Sequence, residues 1–98
     1  FMIKSFQDRD TERVFNRQRV KRLSLSVQKV AQRKLDLIEA AEVIDDLRIP
    51  PGNRLEKLSG DRKGQYSIRV NNQWRICFQW QSGQAVDVEI VDYHQVKL

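Results

Sequence analysis

Two alternating runs joined by three polar residues constrain this chain more than anything else in it. Tyr66, Ile68 and Val70 alternate with Gln65, Ser67 and Arg69, and Trp74, Ile76, Phe78 and Trp80 alternate with Arg75, Cys77 and Gln79. This is the period-two pattern of strands with one buried face. Partners across a hairpin share a face, so Val70 must oppose Trp74, Ile68 oppose Ile76 and Tyr66 oppose Phe78, leaving Asn71-Asn72-Gln73 as the loop. That register sets Arg69 directly against Arg75 on the other, wet face. Like charges so placed are unfavourable unless something negative lies beside them, and an anionic ligand on that face is the simplest compensation.

The rest of the chain supplies the other layer. Ile3 to Phe6 is a short strand candidate, and the polar run Asp8 to Glu12 offers N-cap residues for a short helix reaching about Asn16. Val27, Val30, Ala31, Leu35, Ile38 and Ala41 recur at helical spacing, with Leu37, Ile44 and Leu47 on an adjoining line, which predicts one helix from about Ser24 to Leu47, capped by Ser24 or Ser26. Pro50-Pro51-Gly52 stops it. After a turn at Ser82-Gly83, Val86, Val88 and Ile90 alternate with Asp87, Glu89 and Val91 as a third strand of the meander. If Trp80 and Val86 share the core face, Arg75 lies near Val91, with Tyr93 a neighbour. The expectation is an α+β domain in which helices cover the apolar side of a small antiparallel sheet and the polar side stays open. Trp74 and Trp80 read as core, and Cys77 as a small filler of the open face.

Composition removes most other classes. A chain of 98 residues, 40% hydrophobic and 32% charged, supports one core, and no apolar run is long enough to span a membrane. With no signal-like stretch near the N-terminus and a lone Cys77, the cytoplasm is the expected compartment. Phe1 ahead of Met2 and the closing Lys97-Leu98 carry no functional weight in this reading. One cysteine and one histidine cannot form a zinc cluster, and the glycines match neither a P-loop nor a dinucleotide fingerprint. The net charge of +5 is segregated: eight bases and no acid lie between Arg13 and Lys34, five carboxylates and no base between Asp36 and Asp46, and then bases predominate again. Arg54, Lys57, Arg62, Lys63, Arg69 and Arg75 cluster around one sheet surface that also offers Tyr93 and His94, the pattern of a phosphate-binding face.

The motifs resemble the HigB branch of the RelE/ParE superfamily of bacterial toxins. The likeness runs through Met2 to Phe6, Arg33-Lys-Leu, Pro51 to Asp61, Gly64 to Val70, Gln73 to Phe78 and Val88 to His94. It implies a single RelE/ParE-like toxin domain over residues 1–98, a RelE-like two-layer α+β fold with two N-terminal helices on an antiparallel sheet. It also implies a metal-independent endoribonuclease that cuts mRNA on the ribosome and needs no cofactor. The implied partners are a cognate HigA-type helix-turn-helix antitoxin, mRNA and the ribosome, and operator DNA through the antitoxin complex, with no membrane role. Family toxins place functional residues on the strand carrying Trp-Arg-Ile and on the Asp-Tyr-His terminus, which correspond to Arg75 and to Asp92, Tyr93 and His94. Some relatives carry a histidine where this chain has Glu56 and a lysine where it has Ser59, so Glu56 is a candidate base and Lys57 a compensating cation. Two rival readings share the fold: a gyrase-poisoning toxin of the ParE type, and a weakly active toxin serving mainly as co-repressor with its antitoxin.

Overall fold

The computed structural model describes residues 3–95; Met2, which opens the first family motif, and Lys97-Leu98 lie outside them. Asp8 begins the first helix, α1 (Arg9–Phe15), its carboxylate accepting the Thr11 amide. Ser24 does the same for α2 (Leu25–Ala40) by accepting from the Val27 amide. Two-residue β1 (Glu56–Lys57) precedes the meander β2 (Gln65–Arg69), β3 (Trp74–Gln81) and β4 (Gln84–Asp92), and the sheet order is β1-β2-β3-β4, antiparallel throughout. Both helices lie on one face, where Leu35, Ile38, Ile68, Ile76, Phe78, Val88 and Ile90 form the main core, with Trp74 and Trp80 packed half-buried against it. Among the described residues no helix is long and apolar enough to cross a membrane.

The hairpin has the register its alternation demands. Tyr66 pairs with Phe78, Ile68 with Ile76 and Arg69 with Arg75, and the Val70 amide donates to the Trp74 carbonyl at 2.9 Å. Asn71 closes the loop by accepting the Gln73 and Trp74 amides on its Oδ1, both at 2.8 Å.

Three expectations are corrected. The long helix ends at Ala40, and the apolar residues assigned to its last turns reach the core by a separate 3-10 turn, Ile44–Arg48, which buries Leu47. The break is held by Asp46, whose Oδ2 accepts the Glu42 and Val43 amides and so starts the new turn. Aspartate competes with the helix for backbone donors, and here it wins. Ile3 to Phe6 makes only isolated parallel bridges, Ile3 to Ala85 and Phe6 to Val88, along the outer edge of β4. There β4 carries a bulge. Gln79 opposes Val86 and Cys77 opposes Glu89, so β4 holds one residue more, and Asp87 takes φ 54°. The Asp87 amide donates to Ser5 Oγ (2.9 Å) and the Val88 amide to the Ser5 carbonyl (3.1 Å). The bulge reverses the expected parity, so that Ala85, not Val86, opposes Trp80.

The face expected to stay open is also partly covered. The segment from Arg54 to Lys63 folds over it, and Leu58 packs on Cys77 and Val91 as a second small core. Ser67 and Cys77 are fully buried in consequence. Cys77 fills this core, and burial pushes its thiol up to about 11.

Candidate active site

Arg75 is the centre of the second face and is only 3% exposed, contrary to its expected place on a wet surface. A buried guanidinium must have its donors satisfied. Its Nε donates to Ser67 Oγ at 2.9 Å and its Nη2 to the Arg54 carbonyl at 3.0 Å, with Glu56 Oε1 3.6 Å from the same Nη2. Each partner is delivered by an identifiable element. Ser67 is the β2 residue one alternation from Arg69, Glu56 stands opposite Ser67 in β1, and Arg54 follows the 3-10 turn Pro51–Asn53. Arg54 itself adopts a left-handed backbone (φ 46°, ψ 55°), which costs an arginine about 1–2 kcal/mol. Nη1 of Arg75 makes no hydrogen bond among the described residues.

The Tyr93 ring completes the wall, its centre 5.7 Å from Arg75 Cζ, within cation–π range. Tyr93 begins a 3-10 turn, Tyr93–Gln95, and its amide donates to the Gln73 carbonyl in the hairpin loop. Arg54, Glu56, Arg69, Asn71, Asn72, Arg75 and Tyr93 together line a cleft of about 370 Å³. Three arginines against one carboxylate leave it electropositive. The Arg69–Arg75 juxtaposition is relieved without a ligand: Arg75 turns to Ser67, the Arg54 carbonyl and Glu56, while Arg69 Nη2 donates to Asn72 Oδ1 at 2.6 Å.

Of the residues singled out from sequence, Arg54, Glu56, Arg69, Arg75 and Tyr93 converge on this cleft. Others do not line it. Lys57 pairs with Tyr66 and so belongs to the other face of the sheet. Arg62 is spent on Glu89 Oε1 (2.8 Å) and Gln65 Oε1 (3.0 Å), an ion pair beside Cys77 that pins the covering segment. Lys63 is exposed on that segment, past the 3-10 turn Gly60–Arg62. Asp92 opposes Trp74, which puts its side chain on the helix side, where Gln73 Nε2 donates to it at 3.0 Å. That bond, with the His94 amide on Asp92 Oδ1 (3.0 Å), holds the Asp92 carboxyl below the usual aspartate range. His94 is exposed. Ser67, Asn71 and Asn72 went unnoticed from sequence. Ser67 had a signal, since it shares the parity of Arg69 and Arg75, whereas the Arg54 carbonyl had none. Among the described residues no group of three or more His, Cys, Asp or Glu side chains is placed to hold a metal.

Comparison with known proteins places this chain in a family. A family model described as "RelE-like toxin of type II toxin-antitoxin system HigB" matches residues 4–94. Toxin HigB-1 of Vibrio cholerae is 44% identical over 87 residues, covering 88% of this chain and 92% of that protein. The Endoribonuclease HigB of Proteus vulgaris is 32% identical over 93 residues, covering 95% of this chain and the whole of that protein. A protein of Haemophilus influenzae with no described activity is 43% identical over 70 residues, covering 71% of this chain and 68% of its own length.

Proposed function

The chain belongs to the HigB-like family of RelE-like toxins of type II toxin-antitoxin systems, a family that implies a cognate antitoxin, and from that premise we propose that it is an endoribonuclease acting in the Arg75 cleft. The observation that carries the proposal is the buried Arg75 guanidinium, fixed at Nε and Nη2 with Nη1 left over, in a cleft it shares with Arg54, Arg69 and Tyr93. The relative from Proteus vulgaris bears the name of the same activity.

Cleavage of RNA without a metal proceeds when the 2′-oxygen attacks the adjacent phosphorus and the 5′-oxygen leaves, producing a 2′,3′-cyclic phosphate. Two demands follow: charge must be stabilised on the phosphoryl oxygens, and a proton must leave the 2′-hydroxyl while another reaches the 5′-oxygen. Arg75 Nη1 meets the first demand. Because Nε and Nη2 are already bonded, the guanidinium is oriented before substrate arrives and little is lost to reorganisation. Arg54 and Arg69 hold the neighbouring phosphates. Glu56, half-exposed on the cleft wall, takes the 2′-proton, and the Tyr93 hydroxyl supplies the proton to the leaving oxygen while its ring stacks on a base. Asp92 and His94 serve as positioning residues, since the bond between the Asp92 carboxylate and the His94 amide shapes the turn that carries Tyr93. The substrate is mRNA, cut on the ribosome in the cytoplasm, and a helix-turn-helix antitoxin neutralises the toxin and carries it to operator DNA.

Primer extension on mRNA after induction, and on ribosome-bound mRNA incubated with purified protein, tests this. New 5′ ends are expected from the parent protein, reduced about 10²- to 10³-fold in Arg75→Ala, the usual loss for one oxyanion donor. Glu56→Gln is expected to lose about 10²-fold or more. Full cleavage by a folded Arg75→Ala protein overturns the assignment, and growth arrest without any new ends overturns the activity.

A further inference from the structure

A second depression adjoins the cleft. It measures about 530 Å³ and lies between α2, the loop at Pro50 to Gly52 and the end of β2, walled by Val30, Leu37 and Val70, with Arg33, Lys34 and Arg69 at its rim. Arg69 lines both depressions. The two also continue one another along the chain, because Gly52 and Val70 face the groove while Arg54 and Asn71 face the cleft.

The rim cations are gathered without a carboxylate between them, unlike several arginines elsewhere. Arg13, Arg17, Arg22, Arg48 and Arg62 each have a carboxylate within ion-pair distance. Arg33, Lys34 and Arg69 have none among the described residues, and the one acid in the groove, Asp36, is held by Arg17 at 2.8 Å. Lys34 is fixed rather than loose: its Nζ donates to Asn53 Oδ1 at 2.6 Å, and Asn53 is buried with its Nδ2 bonded to the Leu47 and Ile49 carbonyls. Partial burial, and after it the nearby charges of Arg33 and Arg69, pull the Lys34 ammonium below its ordinary range.

We propose that this groove is a second nucleotide subsite, in which the strand held in the cleft continues across Arg69 so that its next phosphate rests between Arg33 and Lys34 and its ribose or base lies on Val30, Leu37 and Val70. The proposal rests on the ribonuclease reading of the cleft and names how much of the substrate that site grips. Charge complementarity chooses the occupant. Three unpaired cations call for an anion, and a polyanion already threaded past Arg69 brings the next charge at no further cost of encounter.

The test uses 2′-O-methyl RNA, which keeps the phosphates and cannot be cut, as a labelled dinucleotide and a labelled octanucleotide. Affinity is read by fluorescence anisotropy across a salt series. Each lost phosphate contact lowers the slope of log affinity on log salt by about 0.7 for a single strand. Arg33→Gln and Lys34→Met are each expected to lower it by about that much on the octanucleotide and to leave the dinucleotide unchanged. Arg33 is exposed and its side chain makes no hydrogen bond or ion pair among the described residues, so its variant keeps the parent fold and guards against a loss of structure in Lys34→Met. Unchanged octanucleotide slopes in both variants, with cleavage intact in the parent, overturn the subsite alone. Changed binding to the antitoxin with unchanged RNA slopes assigns the groove to a protein partner and overturns it equally. A parent protein that neither binds nor cuts RNA overturns both the subsite and the activity it rests on.

Discussion

Ser67 carries more of this molecule than a serine in a strand usually does. It is fully buried, and its Oγ takes the Nε proton of a nearly buried arginine. In Ser67→Ala that donor is left inside the protein without a partner, which costs about 1–3 kcal/mol, and Arg75 loses the bond that orients it. We expect a lower denaturation midpoint together with a fall in cleavage rate at saturating RNA and little change in KM. Ser67→Thr, which keeps the hydroxyl, should restore more rate than stability. Next to it, Cys77 makes a separate prediction. A thiol pushed up to about 11 stays protonated near neutrality, so the folded protein should resist iodoacetamide and react only as it unfolds. The pH dependence has a definite sign. Between about pH 8.5 and about 11 the unfolded thiol ionises while the folded one does not, so the unfolded state binds fewer protons and stability falls as pH rises. Any stability advantage of the parent over Cys77→Ala should therefore narrow between about pH 8 and about pH 10, measured by urea melts at each pH.

Among the strands, β4 shows how an exposed sheet edge is closed. Its outer backbone groups are taken one after another: the Ala85 carbonyl by the Lys4 amide, the Asp87 and Val88 amides by Ser5, and the Val88 carbonyl by the Gln7 amide. Further along, the Ile90 amide donates to Thr11 Oγ1 at 3.0 Å, and Arg22 Nη2 donates to the Ile90 carbonyl at 3.1 Å. Unpaired edges invite pairing with other chains, and here the N-terminal segment and α1 occupy the edge instead. Thr11 is buried, so Thr11→Val keeps its volume but orphans the Ile90 amide. The expected cost is about 1–3 kcal/mol, read as a shift in urea midpoint with unchanged slope. Hydrogen exchange at Ile90 should quicken more than exchange at Ile76 in the neighbouring strand.

Over the whole molecule, charge that looks like one patch in the sequence divides between the cleft and the surfaces around it. Arg62 is bound to Glu89, Lys57 belongs to the opposite face, and Lys63 sits on the covering segment, whereas Arg54, Arg69 and Arg75 meet in the cleft. Salt dependence should report this division. Binding of a noncleavable tetranucleotide, whose three phosphates can meet the three cleft cations, is expected to have a log–log salt slope of about −2, at about 0.7 for each phosphate. Lys57→Ala and Lys63→Ala should leave that slope where it is, while Arg54→Ala or Arg69→Ala should reduce it by about 0.7. A slope that falls for Lys57 or Lys63 as well would mean that the wider patch, not the cleft, binds the strand.

The sequence by itself determined the hairpin register and the two-layer α+β arrangement, and narrowed the helix caps to the run Asp8 to Glu12 and to Ser24 or Ser26. Each of these follows from local rules: alternation forces partners to share a face, and Asp8 and Ser24 cap the helices through amides three residues away. It also marked Arg69, Arg75 and Tyr93 as neighbours, although the pairing assumed for Trp80 and Val86 failed: the extra residue of the bulge shifts Trp80 onto Ala85 and leaves Arg75 opposite Val91. Only the tertiary structure decided that the face bearing Arg75 is covered, because the segment that covers it carries Leu58 in a stretch with no periodicity to read. Tertiary structure also ended α2 at Ala40, where the side chain of Asp46 competes for backbone amides, and reversed the parity of Val86 through a bulge held by Ser5 from the far end of the chain. The same reason underlies all three. Local sequence fixes which way a side chain points within its own element, whereas burial and bond partners depend on what distant residues bring to that element, as Ser67, Glu56 and the Arg54 carbonyl do in turning an arginine expected to face water into a buried, oriented one.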